Sequence, residues 1–160
     1  MSIERVRTYL AERGLDSRIM EFSVSSATVA LAAQALGCEK AHIAKTLSFA
    51  DGDGCLLIVA AGDARIDNRR FRERFGFKAR MLTHEDALRL TGHAVGGVCP
   101  FALPKEVAVY LDESLKRFET VYPACGSANS AVPLSCEELR QASGAVGWVD
   151  VCKAWRPEEA

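Results

Sequence analysis

The sequence predicts an α+β fold, a single domain with a mixed, curved central β-sheet flanked by helices. Three observations carry this reading. The turn Asp51-Gly52-Asp53-Gly54 joins two strand-like runs as a hairpin. Helical segments with cap residues are interspersed with strands but lack a regular βαβ rhythm. The 160 residues, 49% apolar and 26% charged, suit one core built from residues 1–160.

Ile3, Val6 and Leu10 recur at helical spacing and Gly14 follows as a stop, so residues 2–13 are predicted as an amphipathic helix. A short strand is expected over 19–22. Ser26 is read as the cap of an alanine-rich helix, TVALAAQAL, which ends at Gly37. The hairpin strands are HIAKTLSFA and CLLIVAAG. The second is apolar on both faces, which places it at the centre of the sheet.

Asp67 caps the next predicted helix, whose Phe71 and Phe75, at i and i+4, point to the core. KARML reads as a strand, and Thr83 with Asp86 begins the short helix THEDALRLTG. Then comes GHAVGGVCPFALP at 92–104, three glycines and two prolines around a histidine and a cysteine. EVAVYLD and ETVYPACG are further strands. Ser135 and Glu138 form a capping-box pattern ahead of CEELRQASG, and GWVDVCK closes the domain as an extended segment.

Composition excludes several classes. No apolar run approaches the roughly 18 residues that span a bilayer, and MSIERVRTYLAERG lacks a signal peptide's uninterrupted apolar stretch. A cytoplasmic protein without a membrane partner is expected. The six cysteines lie in a long chain with an ample core and are read as reduced thiols. With no C-x-x-C and no His pair at i, i+4, neither a metal site nor a cofactor is expected.

The net charge of −1 argues against a nucleic-acid binder that works by bulk attraction. The segment from Arg65 to Arg80 departs from this balance. It holds seven basic residues, among them Arg65, Arg69, Arg70 and Arg72, against Asp67 and Glu73, an excess of five positive charges. Such a segment is either a solvated helix face or a phosphate-contacting surface.

Lys45 is the most informative residue. Period-two alternation puts it on one strand face with Ile43, Leu47 and Phe49. An ammonium there snorkels to water, pairs with a carboxylate, or lines a cavity where a ligand supplies an acceptor, because an unpaired buried charge costs several kcal/mol.

The runs IAKTLSF at 43–49, AAGDARID at 60–67, the glycine loop at 92–101 and VYLDESLKRFETVYPACGS at 109–127 resemble, in the same order, the YbaK/EbsC family. These are free-standing relatives of the prolyl-tRNA synthetase editing domain, and the chain looks most like the ProX branch. The resemblance implies a hydrolase that acts in trans on mischarged aminoacyl-tRNA, of tRNA(Pro) type or related, cutting the ester to a small amino acid. It further implies a monomer, with prolyl-tRNA synthetase or another synthetase as a possible partner.

Carried over residue by residue, the resemblance makes Lys45, Gly96 and Gly97 catalytic. It also places Pro100 in the substrate-binding loop, while His93, Cys99, Thr46, Ser127 and Asn129 are substrate-binding candidates by residue type and position, and Arg65, Arg69, Arg70 and Arg72 are tRNA-contacting candidates by local charge. Glycines let main-chain N–H groups approach a ligand and Pro100 holds the loop. The resemblance further implies that the attacking water is activated in part by the substrate's own ribose hydroxyl or α-amino group, so that the protein mainly positions.

Two departures bear on specificity. A family carboxylate is replaced by Ala131, against cysteinyl substrates, and Thr46 stands where alanine-clearing members carry Asn. Three classes stay open: the editing hydrolase, a non-catalytic tRNA- or synthetase-binding module, and a thiol-dependent esterase using Cys99 with His93.

Overall fold

The computed structural model describes residues 2–157. Its main sheet has five strands in the order β6-β2-β3-β5-β8, formed by Tyr122–Pro123, Ile43–Asp51, Gly54–Ala61, Ala108–Asp112 and Gly147–Val149. β2 and β3 are the antiparallel hairpin, while β6 on β2, β5 on β3 and β8 on β5 are parallel, so the sheet is mixed. Residues 55–61 of β3 are all buried, as expected of a central strand apolar on both faces. Two small ribbons complete the β-structure: β1 (Met20–Glu21) with β7 (Ser130–Ala131), and β4 (Arg65–Ile66) with β9 (Cys152–Lys153).

Among the described residues five α-helices flank the sheet: α1 (Ser2–Ala11), α2 (Val29–Leu36), α3 (Asn68–Phe75), α4 (His84–Thr91) and α5 (Cys136–Ser143). Their ends follow local chemistry. Asp67 accepts from Arg69 N and Arg70 N, Thr83 accepts from Asp86 N, and Ser135 with Glu138 makes both bonds of a capping box. α1 buries Val6 and Leu10, and α5 buries Leu139 and Ala142. Phe71 of α3 packs on Phe49 with ring centroids 5.0 Å apart, which fastens the basic helix to β2.

Several expectations change. α2 is capped by Thr28, whose hydroxyl accepts from Leu31 N, and not by Ser26. KARML is not a strand: only Met81 forms a bridge, to Phe49, because the exposed Arg80 and Met81 have no second neighbour to pair with. GWVDVCK splits into β8 and β9, which join different sheets.

The outer edge of β2 carries a gap. β6 pairs only with Ile43 and Ala44, and the 80–82 segment reaches only Ser48 to Ala50, through Leu82 N to Ser48 O and Ala50 N to Arg80 O. Lys45 to Leu47 therefore have no strand neighbour on that side. Ladder groups left unpaired are open to a ligand.

Candidate active site

A cleft of about 500 Å³ opens at this gap. Its walls come from β2 (Lys45, Thr46), the start of α2 (Ser26, Thr28), the glycine loop (Val95, Gly96, Val98), α4, Tyr122 and β7. Segments distant in sequence thus converge on the strand that carries the lysine.

Lys45 is half-buried between Ile43 and Leu47. Its Nζ donates to the carbonyls of Ala64 and, at 3.5 Å, Gly62, both in the turn that leaves β3. Burial pushes the Lys45 ammonium below the usual lysine range; the Asp63 and Asp112 carboxylates oppose that fall and Arg65 adds to it. An ammonium has three donors, so two carbonyls leave one for a ligand.

The turn itself is braced. Arg117 grips Asp63 in a two-pronged ion pair at 2.6 and 2.9 Å, and although burial raises the Asp63 carboxyl, this fork holds it below its ordinary range. Arg117 also stacks over Phe118 and Trp155, 4.7 and 5.0 Å from the ring centroids. Gly62 allows no side chain, because a Cβ would lie 2.0 Å from Lys40 O. Sequence reading passed over Asp63, Gly62 and Arg117; the AAGDARID run contained the first two, but no local signal shows what they touch.

The glycine loop is only partly in the cleft. Gly96, at φ +94°, lines it, and its conformation is one that side-chain-bearing residues rarely adopt. Gly97 N–H donates to Ala94 O at 2.9 Å, so this amide is already used. Gly97 instead packs on the Gly126-Ser127 peptide.

His93 and Cys99 lie elsewhere. Both are 0% exposed, and neither lines the cleft. His93 Nε2 donates to Phe101 O at 2.8 Å and Nδ1 accepts from the Ser2 hydroxyl, which defines the neutral imidazole and ties α1 to the loop. Cys99 Sγ is 3.5 Å from Nε2, but burial pushes its thiol up to about 12. That proton stays on sulfur at neutral pH, which removes the support for thiol chemistry. Pro100 is buried beside them.

Thr46 lines the cleft. Ser127 and Asn129 do not; Ser127 donates to Ser130, and Asn129 Nδ2 donates to Phe22 O, holding the 126–131 turn in place. Of the basic segment, Arg69, Arg70 and Arg74 line a separate groove between α3 and residues 148–150, and Arg65 and Arg72 do not. There Arg69 pairs with Glu73 and Arg70 with Asp150, while Arg65 and Arg72 form no ion pair among the described residues. All six cysteines are free thiols. Among the described residues no three His, Cys, Asp or Glu side chains converge as a metal site, and no helix is long and apolar enough to cross a membrane.

Residues 24–142 match the family described as "Aminoacyl-tRNA editing domain". The chain is 53% identical over 156 residues to "Uncharacterized protein YwhH" of Bacillus subtilis (strain 168), covering 97% of this chain and 99% of the relative. It is 28% identical over 109 residues to "Putative Cys-tRNA(Pro)/Cys-tRNA(Cys) deacylase EbsC" of Enterococcus faecalis (strain ATCC 700802 / V583), covering 67% of this chain and 66% of that one. The solved structure of "a putative trans-editing enzyme for prolyl tRNA synthetase" superposes with a TM-score of 0.84 at 32% identity, covering 94% of this chain and 96% of its own.

Proposed function

Because the chain belongs to the aminoacyl-tRNA editing domain family, we propose that it is a free-standing deacylase, working in the cytoplasm as a monomer on mischarged aminoacyl-tRNA after release from a synthetase. The observation that supports this most is Lys45, held by two carbonyls on the wall of a cleft that also contains Gly96. A cleft of this size suits an aminoacyl group with part of its nucleoside.

In this reading the aminoacyl ester enters across the β2 gap. The third N–H of Lys45 donates to an ester oxygen, and Gly96 N–H serves the oxygen that becomes negative as water adds to the carbonyl carbon. Both donors are fixed before reaction, and a donor aimed at developing charge binds the transition state more tightly than the substrate. Water is deprotonated by the substrate's own hydroxyl or amino group; the acyl–oxygen bond to the ribose then breaks, and the proton passes to the departing ribose oxygen. The protein's part is positioning and charge.

The test is to incubate the protein with tRNA carrying several wrong amino acids and follow release of each. Release above the uncatalysed rate supports the reading. Binding of tRNA with no release would favour a non-catalytic module.

A further inference from the structure

Among the described residues three buried side-chain polar atoms have no hydrogen-bond partner, and two of them, Ser26 Oγ and Thr46 Oγ1, belong to residues lining the Lys45 cleft. Native folds rarely leave such groups unpaired, so a pair at one cleft calls for a cause. Ser26 is only 8% exposed, and its main chain is fixed by Ser26 N to Ala128 O at 2.6 Å. Its neighbours have used their hydroxyls: Ser25 accepts from Ala27 N and Thr28 caps α2. Ser26 alone in this segment keeps a hydroxyl with nothing to do. Thr46 sits at the gap of β2, in a lining otherwise rich in apolar groups such as Ala44, Leu47, Val95 and Val98.

Resting on the deacylase reading, we propose that Ser26 and Thr46 read a hydroxyl on the side chain of the bound amino acid, so that the chain clears seryl or threonyl esters in preference to alanyl ones. An aliphatic hydroxyl donates once and accepts up to twice, so it satisfies one of these side chains as acceptor and the other as donor. A methyl group offers neither. Recognition requires χ1 of each residue to rotate between staggered wells so that its oxygen, buried in the free protein, meets the ligand. A site with hydrogen-bonding groups waiting discriminates against the analogue that lacks the hydroxyl, because binding it leaves those groups unpaired.

The experiment measures kcat/KM for seryl, threonyl and alanyl esters on one tRNA body, with the parent, Ser26→Ala, Thr46→Val and Ser26→Thr. The parent is expected to favour the hydroxylated esters over alanyl by at least about tenfold, and Ser26→Ala and Thr46→Val each to lower that ratio by about tenfold. Ser26→Thr, which keeps the hydroxyl, is expected to keep the ratio. The parent's preference needs no variant to be read. An alanyl preference in the parent overturns the inference alone, as does an equal fall on all esters in the variants, which is what a merely structural role produces. No release of any amino acid overturns the deacylase reading and this inference with it.

Discussion

Gly97 lies against the Gly126-Ser127 peptide so closely that a Cβ on it would stand 2.7 Å from both the Gly126 carbonyl carbon and the Ser127 nitrogen. The missing side chain thus serves the contact between two backbones. Both neighbouring atoms are main chain and cannot swing aside. Gly97→Ala is expected to destabilise the fold by about 1–3 kcal/mol, the range for overpacking. Gly147→Ala is the control, since nothing lies within 4 Å of its Cβ position. Urea unfolding of both variants checks this, and equal midpoints would count against the packing role.

The Arg117 fork on Asp63 gives a second expectation. It braces the turn whose carbonyls hold Lys45, so in the proposed reaction Arg117 acts as a positioning residue. Arg117→Lys keeps the charge but loses the planar fork. Its kcat is expected to fall about tenfold with KM nearly unchanged, as for a misplaced catalytic group. A change confined to KM would mean that Arg117 contacts tRNA instead.

Stability should fall in mild acid through His93. Burial lowers its pKa in the fold, against the Phe101 hydrogen bond, and the Arg5 charge lowers it further. The unfolded chain therefore takes up the proton first. Stability from this group is complete above about pH 6.5, the ordinary histidine value, and is lost as pH drops below it toward the folded pKa. The thermal midpoint of the parent is expected to drop between pH 7 and 5 more than that of His93→Gln. Parallel curves would exclude His93 as the source.

The unpaired arginines carry the expectation for tRNA. Arg65 and Arg72 form no ion pair among the described residues, whereas Arg69 and Arg70 are already matched by Glu73 and Asp150. If this surface neutralises phosphates, Arg65→Ala and Arg72→Ala should each raise KM for tRNA and reduce the salt slope of log K by about 1. Hydrolysis of a short aminoacyl-nucleotide should stay as in the parent. Unaltered salt dependence in both variants would leave the arginines as a solvated helix face.

Features set by neighbours in sequence were legible. The Asp51–Gly54 hairpin, the caps at Asp67 and Thr83 and the Ser135–Glu138 box each involve residues a few positions apart. The cap of α2 falls on Thr28, two positions after Ser26, because the helix begins later than its alanine-rich composition suggests. The parallel pairing of β6 on β2 joins residues nearly eighty apart, so the gap beside Thr46 had no local signature. His93 and Cys99 looked like site groups because they sit in a glycine loop. Ser2 bonds His93 and Arg5 donates to the Gly92 carbonyl, contacts from the start of α1 that no pattern in the loop announces. Lys45 stood out because one charge on an apolar strand face conflicts with its surroundings, and such conflicts mark sites.

In the proposed reaction Lys45 acts on the ester. Single-turnover deacylation of one misacylated tRNA by the parent, Lys45→Ala and Lys45→Arg, with unfolding midpoints measured alongside, tests it most directly. Both variants are expected to fold and each to lose about a hundredfold or more in rate, because neither a methyl group nor a planar guanidinium replaces the compact ammonium held by Ala64 and Gly62. A folded Lys45→Ala protein that releases the amino acid at the parent's rate would contradict this role.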